Sequence, residues 1–445
     1  MANGKTLIRG AYILTMDEEL GMIRDGDVLI EDDHLRAVGR VLSADGAEVV
    51  DGTDCIVLPG FVDTHRHTWG AMLRGCACYG DLGTYFQDVV FTYGANYTPE
   101  DTYASIRFGL AEAVDSGITT LHAWEHNLMT RAHAVAAIAA LRDSGLRGRF
   151  SYGPSSDPSA GSSFVQGSET IDLEHVLELK RGEFARAGDL LHLGIACRGA
   201  EYSQPQIWQQ EYSWAREQGL PFTTHTMMTR QDVERVRAVS VYKQHGFLGP
   251  DHLLVHAVHL NEEEIGALAE TGTPVSFSIF SELRTGMGIP PVVQMMRAGV
   301  NVTISLDTMA ASDNSDVFAA LRTTMCVERG RYEDVTVYNP DQVLRQATID
   351  GARALGLADV TGSLTPGKKA DLIMLRADEL NIGPLNVPDG QIVLAAQPRN
   401  VDSVWVDGVL RKRGGELVGV DVSGLVRGVK EAVAGLSRRI GKAVV

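Results

Sequence analysis

The spacing of apolar residues changes twice along this chain. Near its start they cluster in the short runs 6–14, 27–31 and 35–39, separated by Gly and Asp turns; such runs predict strands of a small sheet. Between residues 59 and 361, apolar runs are each followed by a polar loop and an amphipathic stretch, the signature of parallel β/α units. Strands are predicted at 119–124, 191–196, 221–225, 252–256, 274–278 and 302–307, with helices such as 99–116 and 130–144 between them. About 300 residues of this pattern suit a (β/α)8 barrel. Beyond residue 361 the strand pattern returns at 367–375 and 401–408. The expected fold class is therefore α/β, a TIM-like barrel over residues 59–361 inserted into a discontinuous β-sandwich domain of residues 1–58 and 362–420. A last helix within residues 421–445 carries Val422, Val426, Val429, Val433, Leu436 and Ile440 in steps of four and three. Docking on its own chain is favoured over a subunit seam, because under about three heptads is too short for a coiled coil.

Composition narrows the partners. The 445 residues are 44% hydrophobic, enough for a large core, and the formal charge is −17. With no Lys/Arg stripe to interrupt that charge, nucleic acid and anionic membranes are disfavoured. No run of about 18 apolar residues occurs, and Met1-Ala2-Asn3-Gly4-Lys5 has no charged-then-apolar leader. Cys55, Cys76, Cys78, Cys197 and Cys326 are odd in number and scattered, which fits reduced thiols. A cytoplasmic homo-oligomer acting on a small-molecule substrate is expected.

The chemistry gathers at predicted strand ends. The run Ile56 to Thr64 delivers His65 and His67 at alternate positions, so both imidazoles leave one face of a strand end and can grip one metal ion. His225, His256 and Asp307 also fall at strand ends. In a barrel these ends converge, and histidines with one carboxylate suit a borderline divalent ion with a position left for water. Such an ion makes water a nucleophile near neutral pH, and Asp307 can take its proton. Any one of these side chains alone would as readily satisfy a loop; their order after a His-x-His supports the joint reading. Trp69, Tyr85, Phe86 and Trp124 are candidates to stack on a substrate or to fill the core. His122 and His126 either line the pocket or pack.

Several motifs together carry a resemblance. The run Leu58-Pro59-Gly60-Phe61-Val62-Asp63-Thr64-His65-Arg66-His67, the strand His256-Ala257-Val258-His259-Leu260, the strand end Ser305-Leu306-Asp307 and the closing Gly362 to Leu372 resemble the amidohydrolase superfamily, in the branch of cytosine, guanine and adenosyl-type deaminases and triazine hydrolases. The resemblance implies a metal-bearing barrel within a composite β-sandwich, with His65, His67, His225 and Asp307 as ligands and His256 polarising the scissile group. One ion per chain is implied, zinc before iron, cobalt or manganese, because residues 191–199 hold no lysine to bridge a second.

Deaminases of that branch carry a glutamate three residues after the third histidine, where this chain has Met228. Nearby, Arg198 and Glu201 are candidates to orient substrate and replace the acid, or merely to pair with each other. Together with His122-Ala123-Trp124-Glu125-His126-Asn127 they resemble a subgroup that includes thiocarbamate and phenylurea hydrolases. The expected activity is hydrolysis of a non-peptide carbon–nitrogen bond, with metal-activated water attacking an amide-, urea- or thiocarbamate-type carbon, and His256, Asp307 and Glu201 as catalytic candidates. Arg198, Trp69, His122 and Trp124 are the substrate-binding candidates. Alternatives are a deaminase or dechlorinase of a heterocycle, and a catalytically silent metal- or ligand-binding scaffold.

Overall fold

The computed structural model describes residues 4–43, 45–165, 167–186 and 188–444. Of the N-terminal run read for a leader, Met1 to Asn3 lie outside the described residues. Five strands open the chain: β1 (Lys5–Leu14), β2 (Met22–Glu31), β3 (His34–Gly39), β4 (Glu48–Asp51) and β5 (Cys55–Pro59). Eight follow: β6 (Phe61–Arg66), β7 (Ile118–Glu125), β8 (Arg147–Tyr152), β9 (Leu191–Ala196), β10 (Phe222–Thr226), β11 (His252–His256), β12 (Val275–Phe277) and β13 (Val302–Ile304). The last four are β14 (Leu372–Arg376), β15 (Val401–Val406), β16 (Val409–Arg413) and β17 (Glu416–Leu417).

β6 to β13 form one eight-stranded sheet in sequence order. All of its ladders are parallel. The sheet closes where the chain beyond β13 meets β6: Asp307 N–H donates to His65 O and His67 N–H to Asp307 O, both at 3.0 Å. This is the expected barrel. The strands of the two chain ends form a second, mixed sheet of nine, in which β14 pairs with β5.

Helices occupy Pro99–Asp115 and Arg131–Ser144, close to their predicted spans. Thr98 caps the first of them, accepting from Asp101 N–H, with Pro99 at its first position. The C-terminal helix Val422–Ile440 docks on its own chain, burying Val429 and Leu436. Arg439 reaches from it to the Asp101 carboxylate and donates to Asn96 O at 2.9 Å. All five cysteines are free thiols. Among the described residues, no helix is long and apolar enough to cross a membrane.

One barrel strand, β8, was not among the predicted ones. Its sequence, Arg-Gly-Arg-Phe-Ser-Tyr, puts two arginines where an apolar face is expected, yet both are buried. Arg147 pairs with Asp371 at 2.6 Å and Asp407 at 2.7 Å, and Arg149 donates to Leu355 O at 2.5 Å. Partners from outside the barrel make the buried charge tolerable.

Candidate metal centre and active-site cavity

His65 sits at the end of β6 with His67 just beyond it, His225 lies on β10, His256 ends β11, and Asp307 follows β13. Parallel strands in sequence order bring these ends to one mouth of the barrel. Buried Asp63 fixes the junction: its carboxylate accepts from Leu306 N–H at 3.1 Å and from Arg66 Nε at 2.8 Å. Arg66 in turn donates to Ser315 Oγ at 2.9 Å. The chain turns through the left-handed region at His256 (φ 69°), Asp307 (φ 58°) and Met227 (φ 51°). Non-glycine residues enter that region at some cost, and such strain concentrates at functional sites.

One ligand atom from each of His65, His67, His225 and Asp307 lies within 4.8 Å of the others. His67 Nε2 is 3.1 Å from His225 Nε2, and Asp307 Oδ1 is 3.3 Å from His65 Nε2 and 3.4 Å from His67 Nε2. A tetrahedron of donors about 2.0–2.1 Å from zinc has edges of about 3.3–3.4 Å. These three separations are close to such edges and the whole set lies within 4.8 Å, so the donors can converge on one divalent ion whose coordination expands to admit water. Neither nitrogen of His65 has a hydrogen-bond partner, so the protein leaves the single lone pair of that neutral imidazole free for an ion.

Electrostatics prepare the same set. Burial lowers the pKa of His65, His67 and His225, leaving neutral imidazoles. Burial alone would raise Asp307, but the close approach of His65 Nε2 and the neighbouring imidazoles hold it well below the carboxylate range. His67 Nδ1 lies 2.9 Å from Trp124 O, which aims Nε2 at the cluster. Burial also opposes a charge on His256, yet its bond to Glu282 Oε1 (3.0 Å) and the carboxylates of Asp307 and Glu282 raise its pKa. Glu282, on the helix after β12, is a functional partner the sequence did not single out; nothing marks it among many surface-type carboxylates.

Above these groups is a cavity walled by Leu82, Tyr85 and Phe86 from the segment after β6, Phe164 from the loop after β8, and Met228 and Met287. Phe86 stacks on Phe164 with centroids 5.5 Å apart, and Phe164 on Tyr202 at 5.4 Å. The space open to the centre of a water molecule is about 20 Å³, room for roughly one water.

The other candidates fall in different places. Trp124 is fully buried and packs edge-on against His225 (4.5 Å) and His67 (5.1 Å). It braces the ligands and is not a cavity wall. Trp69 packs on His126 at 5.2 Å and Tyr97 at 5.6 Å, away from the lining. His122 lies inside the barrel, with Nδ1 3.1 Å from Thr64 O and Nε2 2.6 Å from Ser151 Oγ. Arg198 is fully enclosed, paired at 2.7 Å with Glu211 and not with Glu201, and donates to Ser163 O and Glu169 O. The guanidinium thus holds a loop, and no free N–H fork faces the cavity.

Glu201 accepts from Thr226 Oγ1 at 2.7 Å and Met227 N–H at 2.8 Å. It fixes the turn after His225 and does not line the cavity. His126, weighed between lining and packing, is a wall of the cavity. His259 serves a loop, its Nε2 2.8 Å from Met287 O.

Comparison with known proteins agrees with this architecture. A family model described as "Amidohydrolase family" matches residues 56–411. A 5'-deoxyadenosine deaminase of Methanothermobacter thermautotrophicus is 29% identical over 424 residues, 94% of this chain and 95% of that protein. A 5-methylthioadenosine/S-adenosylhomocysteine deaminase of Moorella thermoacetica is 30% identical over 429 residues, 94% of this chain and 96% of that protein. Among solved structures, an adenosine deaminase from Xanthomonas campestris with bound zinc superposes with a TM-score of 0.89 at 25% identity, covering 98% of this chain and 99% of that one. An atrazine chlorohydrolase from Arthrobacter aurescens, complexed with zinc, has a TM-score of 0.86 at 21% identity over 96% of this chain and 99% of that one, a likeness of fold.

Proposed function

The chain belongs to the amidohydrolase family, and from that premise we propose that it is a zinc-dependent hydrolase of a non-peptide carbon–nitrogen bond in a small molecule. The observation that carries the reading is the convergence of His65, His67, His225 and Asp307 in an aromatic-walled cavity at the barrel mouth. Those four side chains would hold the ion, which when bound supplies Lewis acidity and activates water. The carboxylate of Asp307 accepts the proton of the attacking water and returns it to the departing nitrogen. His256, whose Nδ1 faces Glu282 Oε1 and whose pKa the Glu282 and Asp307 carboxylates raise, would as an imidazolium present Nε2–H to the oxygen that gathers charge at the attacked carbon. The apolar walls exclude bulk water and strengthen both interactions.

Leaving-group class separates two readings. The cavity has Met228 where the resembling deaminases have an acid, which favours an amide, urea or thiocarbamate, whose departure asks less of an acid. The names of the deaminase relatives favour a ring amine as the second reading. Metal content of purified protein, before and after chelation and beside Asp307→Ala, tests the centre first. About one ion per chain, lost in the variant, is expected; a folded protein that neither holds nor takes up metal refutes the proposal. A panel of amides, ureas, thiocarbamates and aminated heterocycles, 5'-deoxyadenosine included, then separates the readings by ammonia release. A scaffold would turn over none of them.

A further inference from the structure

His126 holds an unexplained position. Its ring is 2% exposed, forms part of the cavity wall and lies outside the four-ligand cluster. His67 Nδ1 is 2.9 Å from Trp124 O and 2.9 Å from His126 Nδ1. With an ion on His67 Nε2, the proton of that imidazole must sit on Nδ1, where it faces both acceptors. A second N–H on His126 Nδ1 would oppose it head-on, so His126 Nδ1 keeps its lone pair and Nε2 bears the hydrogen. That Nε2 is buried with no hydrogen-bond partner.

Rotation does not relieve it. Trp69 and Trp124 each pack against the His126 ring with centroids 5.2 Å away, and Phe164 lies at 5.6 Å. A buried donor without an acceptor is costly, and a ligand that supplies the acceptor removes that cost. The cavity wall that His126 shares carries Phe86, Phe164, Met228 and Met287, with Thr285, Asp307 and Thr308 as further polar members.

We propose that His126 Nε2–H is a substrate-positioning donor, set by relay from the metal-ligating His67, and that it selects flat, apolar-bodied molecules bearing one hydrogen-bond acceptor, a ring nitrogen or a carbonyl oxygen, beside the attacked carbon. The inference rests on the proposed metal centre in placing the ion on His67 Nε2.

Two readouts that need no turnover test it. The first is the histidine tautomer, read from long-range proton–nitrogen spectra of zinc-loaded protein labelled with 15N-histidine and assigned against His126→Gln. His126 should be an Nε2–H imidazole; an Nδ1–H form overturns the proposal. The second is the affinity of zinc-loaded protein for quinoline against its nitrogen-free isostere naphthalene. Wild type should prefer quinoline about tenfold, the preference should vanish in His126→Phe and persist in His126→Gln, which keeps a donor, and zinc content should be unchanged in both. An equal preference in His126→Phe, or loss of zinc from His126→Gln, overturns it. Failure of the panel above to find a hydrolysed compound would refute the proposed reaction while leaving tautomer and preference intact, so the two failures are distinguishable.

Discussion

Replacing Glu201 by glutamine should stabilise the protein at alkaline pH and hardly change turnover. Burial raises its carboxyl from 4.5 to about 7, against the lowering effect of the Met227 N–H and Thr226 hydroxyl that it accepts from. The folded state thus binds this proton more tightly than the unfolded chain. From about pH 4.5 to 7 it holds more of the proton than the unfolded chain does, so stability falls as pH rises through that window and is flat above it. A shift of roughly 2.5 units corresponds to about 3 kcal/mol. Glutamine keeps an acceptor for Thr226 and Met227, and its amide can donate to the Tyr242 hydroxyl that now approaches Glu201 Oε2 at 3.3 Å. Glu201→Gln should match wild type near about pH 4.5 and exceed it by up to about 3 kcal/mol near about pH 8. For 445 residues the unfolding entropy is about 0.9 kcal/mol/K, so the gain is about 3 °C in Tm. Thermal melts at the two pH values, with zinc content held equal, provide the assay. A Tm difference independent of pH would refute the reasoning, and a loss of turnover beyond about tenfold would return Glu201 to the chemistry.

Arg198→Ala leaves the Glu211 carboxylate enclosed without its partner and should cost about 3–5 kcal/mol, read as a Tm drop of roughly 3–5 °C. Arg198→Lys should recover little of that loss, since one ammonium does not reproduce a fork shared among Glu211, Ser163 O and Glu169 O. Glu282→Gln removes a carboxylate that keeps the proton on His256, so the alkaline limb of the kcat/KM profile should move to lower pH; an unmoved limb removes His256 from that limb. Phe164→Ala removes the ring stacked on Phe86 and should raise KM about three- to tenfold for an aromatic substrate, with kcat little changed.

The barrel was legible because seven of its strands read as apolar runs, and the site because its ligands close those runs. His225 and Asp307 needed no contact information, only the rule that parallel strands share a C-terminal mouth. β8 escaped because Arg147 and Arg149 interrupt its pattern, and their partners Asp371, Asp407 and Leu355 O lie more than 200 residues away in sequence. Arg198 shows the converse difficulty. Its nearness to Glu201 suggested a pair or a shared task, whereas its carboxylate partner is thirteen residues on, in the helix Pro205–Glu217. The walls come from the irregular segments between β6 and β7 and after β8, Phe86 on a short helix and Phe164 on a loop, so which aromatic residues face the cavity and which fill the core emerges only from packing.

Met228 turns one departure from the family pattern into an argument about substrate. The residue is buried in an apolar cluster with Val258 and Met287 and walls the cavity. A carboxylate there would lose its hydration without gaining a partner, so the surroundings are built for the thioether. The titratable groups at the cavity are Tyr85, whose phenol burial keeps protonated, His126, His256 and members of the candidate ligand cluster. In the mechanism proposed above, delivery of a proton to the leaving atom falls to Asp307, which must first have taken one from water. Such a site works best when the departing atom needs that single proton, as with a urea or thiocarbamate nitrogen, and least well when an amine must leave a stable aromatic ring. The acid-free wall and the donor on His126 thus support the same kind of substrate: a flat molecule held by an acceptor and cleaved at a bond that needs little acid help.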